Sequence, residues 1–193
     1  YYARIPVGHV EAGLRTRNIY SPWPEEINRQ LADRIARWCF APTEGARAYL
    51  LAEALREDHI YVTGNTVIDA LHLVAEKLDH DARLRSTVRD LLLPEVGFDP
   101  EERPFILVTG HRRESFGQGF RNICAALSRI AEQYPDYELV YPVHLNPNVK
   151  GPVTKILAGL KNVHLISPLD YEPFVYLMRE SKLILTDSGG IQE

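Results

Sequence analysis

Apolar positions along this chain change period again and again, and each change marks an element. The run at residues 105–108 is continuously apolar, as a strand buried on both faces is. Thr109 and Gly110 end it, and a polar loop follows, His111-Arg-Arg-Glu-Ser115. Beyond Gly119, the residues Phe120, Ile123, Leu127 and Ile130 fall at steps of 3, 4 and 3, which is one face of a helix. The alternation then repeats. A strand at 138–141 precedes a helix opened by Pro147 and carrying Val153, Ile156, Leu157 and Leu160. A strand at 163–166 precedes a short helix around Phe174 and Leu177, and a strand at 183–186 runs into Asp187-Ser-Gly-Gly190. Strands alternating with helices predict an α/β fold with a parallel sheet and right-handed crossovers.

The first third follows the same logic with weaker signals. Residues 5–10 read as a short strand with His9 and Glu11 at its C-terminal end. A loop at 13–23 carries Arg15, Arg17 and Pro22. Pro24-Glu25-Glu26 opens a helix, because proline is tolerated in the first turn and acids suit the positive end of the dipole. Ile27, Leu31, Ile35 and Trp38 are expected on its buried face. A strand at 40–43 leads to Thr43, a predicted cap for the helix containing Ala46, Leu50 and Leu51. Residues 59–63 form the next strand, ended by Gly64-Asn65, and Val67, Leu71, Val74 and Leu78 predict a further helix. The stretch 79–103 is charged and holds Pro94, Gly97 and Pro100, the clearest composition shift in the chain. It places a domain boundary near Asn65, giving units 1–65 and 66–193.

Composition narrows the function. The chain has 193 residues, 45% hydrophobic, enough for one large domain or parts of two. A net charge of −4 gives no electrostatic case for nucleic acid, so any anion site is local. Cys39 and Cys124 are far apart with no metal spacing, which suits a reducing, cytoplasmic compartment. No apolar run reaches the ~20 residues of a membrane span. The chain opens on Tyr1-Tyr2 and closes on Gly190-Ile-Gln-Glu193, where a helix is just beginning; it reads as a piece of a longer protein.

The polar residues collect after strand C-termini: His111 to Ser115, His144 to Asn148, Asp170, and Asp187 to Gly190. In a parallel sheet those ends share one side, where ligands bind. Two adjacent guanidiniums beside a glycine-containing turn suit a diphosphate. Ser188-Gly189-Gly190 before a helix offers backbone N–H groups and a hydroxyl to a phosphate, or is a plain glycine turn. His144 binds a ligand or caps a turn. Glu11 and Glu25 flank one loop, and paired carboxylates are what acid–base chemistry needs. Glu26 is assigned to stabilising the helix N-terminus. Arg15 pairs with one of those acids or with a phosphate. No Cys/His cluster has metal spacing, and no dinucleotide fingerprint is present.

Six motifs in one order resemble the non-hydrolysing UDP-N-acetylglucosamine 2-epimerases of bacteria. They are His9-Val-Glu-Ala-Gly-Leu-Arg-Thr16, Pro24-Glu-Glu26 with Asn28-Arg29, Val62-Thr-Gly-Asn-Thr66, Thr109-Gly-His-Arg-Arg-Glu114, Tyr141-Pro-Val-His-Leu-Asn-Pro147 and Thr186-Asp-Ser-Gly-Gly-Ile-Gln-Glu193. The resemblance implies two Rossmann-like domains in a GT-B arrangement, only partly contained in this chain. It implies interconversion of UDP-N-acetylglucosamine and UDP-N-acetylmannosamine by UDP elimination and re-addition through 2-acetamidoglucal, supplying cell-surface polysaccharide synthesis. No cofactor and no metal are implied. The implied partners are UDP-N-acetylglucosamine, as substrate and allosteric activator, UDP, and a second copy of the chain. By motif, Glu11 and Glu25 match the family's catalytic glutamates and His111 its active-site histidine. Arg112 and His144 match positions linked to substrate and to the allosteric ligand. Leu169 and Phe174 match the uracil pocket, and Ser188, Gly189 and Gly190 the diphosphate loop. The family's catalytic aspartate and its ribose-holding glutamate match no residue here. Three rivals stand beside this reading: a GT-B glycosyltransferase, a hydrolysing epimerase, and an inactive nucleotide-sugar-binding remnant.

Overall fold

The structure, a computed structural model, describes residues 2–110 and 117–192. They fall into two compact units, Tyr1–Ala70 and Leu71–Glu193. The division lies five residues beyond the boundary read from composition, inside a helix.

In the first unit, β1 (Gly8–Val10), β2 (Trp38–Ala41) and β3 (Ile60–Val62) pair in parallel in that order. Helix α1 (Glu25–Ile35) joins β1 to β2, and α2 (Glu44–Ala52) joins β2 towards β3. Thr43 caps α2 as expected, its Oγ1 accepting the Ala46 N–H at 3.1 Å. The core here is small: Ala12, Cys39, Ala41, Ala46, Leu50 and Ile60.

Helix α1 corrects the sequence reading twice. Trp38 is not on it, because Ala36 turns to extended backbone and Trp38 begins β2. The supposed buried face is also reversed: Leu31 and Ile35 are 55% and 46% exposed, while Glu26 and Asp33 are the buried residues. Glu26, Gln30 and Asp33 are spaced at 4 and 3, so they share one face. That face is polar because it packs on a loop, not on a sheet. The first strand is also shorter than expected, three residues from Gly8, with Ile5 70% exposed.

The second unit holds β4 (Phe105–Thr109), β5 (Glu138–Pro142), β6 (Val163–Ile166) and β7 (Leu183–Thr186), all parallel, in the order β6-β5-β4-β7. Side chains of α5 (Gln118–Gln133) and α6 (Pro147–Leu157) cover one face, with Phe120, Cys124, Leu127, Val149, Val153 and Leu157 fully or nearly buried. The other face is covered by α3 (Thr66–His80), α4 (Ala82–Val96) and α7 (Tyr171–Glu180). A last short helix, α8 (Gly189–Gln192), follows β7.

Helix α4 lies in the stretch that composition marks only as charged. It forms because Val88, Leu92 and Val96 recur every fourth residue and are all buried. Asp81 caps it, accepting the N–H groups of Arg83 and Leu84 at 3.0 and 2.9 Å. Gly97, at φ +77°, ends it in the left-handed conformation that glycine adopts without strain. Its charges are tied to neighbours: Arg89 pairs with Asp99, and Arg85 bridges Glu101 and Glu180 at 2.9 Å each.

Both thiols are buried, Cys39 in β2 and Cys124 in α5. Burial, helped by the charge of Asp33, pushes the Cys39 thiol up to about 11. Since the thiolate is the reactive form, a disulfide reagent near neutral pH is expected to leave both cysteines unmodified until the chain is unfolded. Rapid titration of either thiol in the native protein would contradict this burial.

Candidate active site

The loop after β1 is held by carboxylates of α1. The Glu26 side chain, fully buried, accepts the N–H of Thr16 at 3.0 Å, the N–H of Arg17 at 3.2 Å and the Gln30 amide at 3.1 Å. Burial alone would raise its pKa. The hydrogen bonds from Thr16, Gln30 and Arg17 outweigh that and hold it below the ordinary value of 4.5. Asp33, equally buried, meets His9 Nδ1 at 2.5 Å, the Gly13 N–H at 3.3 Å and Arg15 Nη2 at 2.7 Å. Arg15 also forks onto Glu53 at 2.6 and 2.8 Å and donates to the Leu14 carbonyl at 2.9 Å. Its pairing with Glu53 and Asp33 overcomes burial and raises its pKa further.

A group whose folded pKa is lowered contributes stability above its unfolded value and loses it as pH falls through the folded one. Glu26 therefore steadies this loop above about 4.5 and stops doing so on acidification. Glu26→Gln is expected to cost about 1–3 kcal/mol at neutral pH, since backbone N–H groups lose a charged acceptor. The gap from wild type should close as the carboxylate is protonated on acidification. Thermal melts across pH check it; a constant gap would refute the ionised role.

Two of the residues singled out by sequence emerge from this frame. Glu11 follows β1 directly, is exposed, and sits at φ +68°, a backbone region that favours glycine. Glu25 is the first residue of α1 and is exposed. Arg15 is a correction: its side chain is 2% exposed and its guanidinium is committed to Asp33 and Glu53 rather than to Glu11, Glu25 or an anion. Glu26 does more than stabilise a helix end, since it binds the loop itself.

In the second unit, β7 lies on the opposite side of β4 from β5 and β6, so the chain direction of winding reverses between β4 and β7. In such sheets the strand C-termini at a reversal of this kind are the usual ligand position. At that edge Thr109 Oγ1 donates to Thr186 Oγ1 at 2.6 Å. Thr186 Oγ1 in turn accepts the Ser188 N–H at 2.9 Å. Tyr141, buried in β5, donates its hydroxyl to the Gly110 carbonyl, and burial raises its pKa. The exits of β4, β5 and β7 are thus braced together. His111 and Arg112 follow Gly110 and lie outside the described residues.

Gly189 and Gly190 are exposed at the start of α8, while Ser188 is half-buried with its N–H on Thr186, so that one donor is not offered to a ligand. His144 is exposed and its Nδ1 accepts the Asn146 N–H at 3.1 Å. Leu169 and Phe174 are half-buried and pack on the core beneath α3, α4 and α7. Asp33 and Glu53 lie in no motif read from the sequence, and Thr109, Tyr141 and Thr186, though they begin three of the motifs, had no role assigned there. The 4 and 3 spacing of Glu26, Gln30 and Asp33 was the available signal for the first; the others depend on distant partners. Among the described residues no group of three or more His, Cys, Asp or Glu is placed to hold a metal, and no helix is long and apolar enough to cross a membrane.

Comparison with known proteins fits this architecture to a family. The family model described as UDP-N-acetylglucosamine 2-epimerase matches residues 1–193. A probable UDP-N-acetylglucosamine 2-epimerase of Ralstonia nicotianae is 58% identical over the whole chain, which covers 50% of that protein. The UDP-N-acetylglucosamine 2-epimerase of Escherichia coli is 56% identical with the same coverage. The crystal structure of the Neisseria meningitidis UDP-GlcNAc 2-epimerase bound to UDP-GlcNAc shares 49% identity and a TM-score of 0.91, over 100% of this chain and 51% of that one. The Methanocaldococcus jannaschii enzyme in complex with UDP-GlcNAc and UDP shares 33% identity and a TM-score of 0.77, over 99% and 51%. The chain spans about half the length of the curated relatives it matches, and over all of that span it belongs to the UDP-N-acetylglucosamine 2-epimerase family.

Proposed function

We propose that the protein interconverts UDP-N-acetylglucosamine and UDP-N-acetylmannosamine without an acceptor, cofactor or metal. The observation that carries this is the match of the whole of this chain to 51% of the Neisseria enzyme, whose structure is bound to UDP-GlcNAc. The reversal of strand order at β4 and β7 supports a nucleotide diphosphate site, and Glu11 and Glu25 supply the carboxylates that C2 chemistry requires.

The C2–H of the sugar is a weak acid, so a carboxylate must take its proton while the C1–O bond to UDP breaks. The product of that step is 2-acetamidoglucal with UDP alongside. UDP then bonds again at C1 and a proton returns to the other face of C2. Two carboxylates, Glu11 and Glu25, suit proton access from both faces. Charge on the departing UDP is met by His111 and Arg112 and by Gly189 and Gly190 at the start of α8. Leu169 and Phe174 are proposed for the uracil and His144 for substrate or a second, allosteric UDP-N-acetylglucosamine. On this reading residues 1–65 and 66–193 are parts of the two Rossmann-like domains of the family. The same reading makes the enzyme non-hydrolysing, homodimeric and cytoplasmic, feeding cell-surface polysaccharide synthesis.

The test is incubation of the chain, extended to the length of its relatives, with UDP-N-acetylglucosamine alone. UDP-N-acetylmannosamine should accumulate. Release of UDP with free N-acetylmannosamine would make it a hydrolysing enzyme, and turnover only on adding an acceptor would make it a glycosyltransferase.

A further inference from the structure

Asp33, like Glu26, is a buried carboxylate of the first unit with three polar partners, and the chemistry above gives it no task. Its side chain is 0% exposed. Oδ1 faces His9 Nδ1, and Oδ2 accepts from the Gly13 N–H and from Arg15. His9 and Gly13 are the residues two before and two after Glu11. One buried carboxylate therefore holds the His9 side chain on one side of an exposed glutamate and the Gly13 backbone on the other.

The turn between these anchors is unusual. Glu11 is at φ +68° and Gly13 at φ +86°. A non-glycine residue in that region costs of order 1–3 kcal/mol and persists only where its surroundings over-determine it. The Ala12 N–H is also fixed, on the Phe40 carbonyl at 3.0 Å. Arg15, itself held by Glu53, keeps a positive charge on Asp33 Oδ2, which fixes the carboxylate's orientation. An ion pair serving stability alone would not need to reach His9 and Gly13 as well.

We propose that Asp33 is a positioning residue that clamps the turn around Glu11 and so aims the Glu11 carboxylate at the sugar. The proposal rests on the reading of Glu11 as catalytic. Misplacing a reacting group by about 1 Å can cost about 10²-fold in rate. Asp33→Asn keeps the size of the side chain and loses the charge that holds His9 and Arg15.

The experiment compares Asp33→Asn with Asp99→Asn, a change that breaks another, more exposed Asp–Arg pair, to Arg89, in the second unit. Both are made in the chain extended to the length of its relatives. Asp33→Asn should lower kcat on UDP-N-acetylglucosamine by about 10²-fold with KM little changed, and speed hydrogen exchange at the Gly13 amide. Asp99→Asn should lose stability with kcat and Gly13 exchange unaltered. Equal kcat in the two variants, or unaltered Gly13 exchange in Asp33→Asn, would overturn the clamp. Should Asp33→Asn not fold, His9→Phe removes one anchor and leaves the Asp33–Arg15 pair; an unchanged kcat there overturns it too. A wild-type protein with no turnover would defeat the functional reading, while the Gly13 exchange would still decide on the clamp.

Discussion

In the chain extended to the length of its relatives, Glu11→Gln and Glu25→Gln are each expected to lower turnover of UDP-N-acetylglucosamine by about 10²–10⁴-fold, the range a general acid or base contributes. Affinity for UDP should change little, because the diphosphate and uracil groups are assigned to the second unit. Glutamine preserves the size of the side chain and removes its charge and its capacity to take up and return a proton. Both side chains are exposed at the ends of the same pinned loop, so neither change opens a cavity or orphans a buried partner. Stability should therefore stay near wild type, and a rate loss can be read as chemistry. Steady-state kinetics beside calorimetry with UDP checks it. Near-normal turnover in both variants would remove the pair from the mechanism.

Gly13→Ala is expected to destabilise the first unit by about 3 kcal/mol or more, adding a strained conformation to an overpacked contact. At φ +86° the backbone there is one that a side chain disfavours. A methyl group would also lie 2.4 Å from the Ala46 carbonyl oxygen and 2.9 Å from Leu50 Cγ. Neither neighbour yields easily. Ala46 is in the capped first turn of α2, and Leu50 is fully buried in a core of six residues. Gly64→Ala is the control: φ is also positive, at +79°, but nothing lies within 4 Å of the added atom. It should cost about 1–2 kcal/mol from backbone strain alone. Denaturant melts of the two variants compare the terms, and equal losses would show that the Ala46 contact contributes nothing.

The second sheet was legible from the sequence almost residue by residue. Its strands at 163–166 and 183–186 are short apolar runs with breakers on both sides, and nothing competes with that signal. Helix α4 was lost because charges outnumber its buried stripe of Val88, Leu92 and Val96, and because Pro94 reads as a breaker although it sits within three residues of the helix end. In α1 the assumption that apolar means buried failed. That helix turns its acids inward, because the loop it supports presents backbone N–H groups that need acceptors. Glu11 and Glu25 could be picked out from their motifs. The frame behind them could not, since Arg15 finds Asp33 and Glu53 at separations of 18 and 38 residues, where periodicity carries no information.

The claim that C2 loses and regains a proton is tested most directly by turnover of UDP-N-acetylglucosamine in deuterium oxide, followed by proton NMR. Removal of the C2 proton by a solvent-exchanging carboxylate, and return of a deuteron, should give UDP-N-acetylmannosamine whose C2 proton signal is missing. Product that keeps a full C2 proton signal would mean the hydrogen never left for solvent, and would contradict the carboxylate mechanism assigned to Glu11 and Glu25.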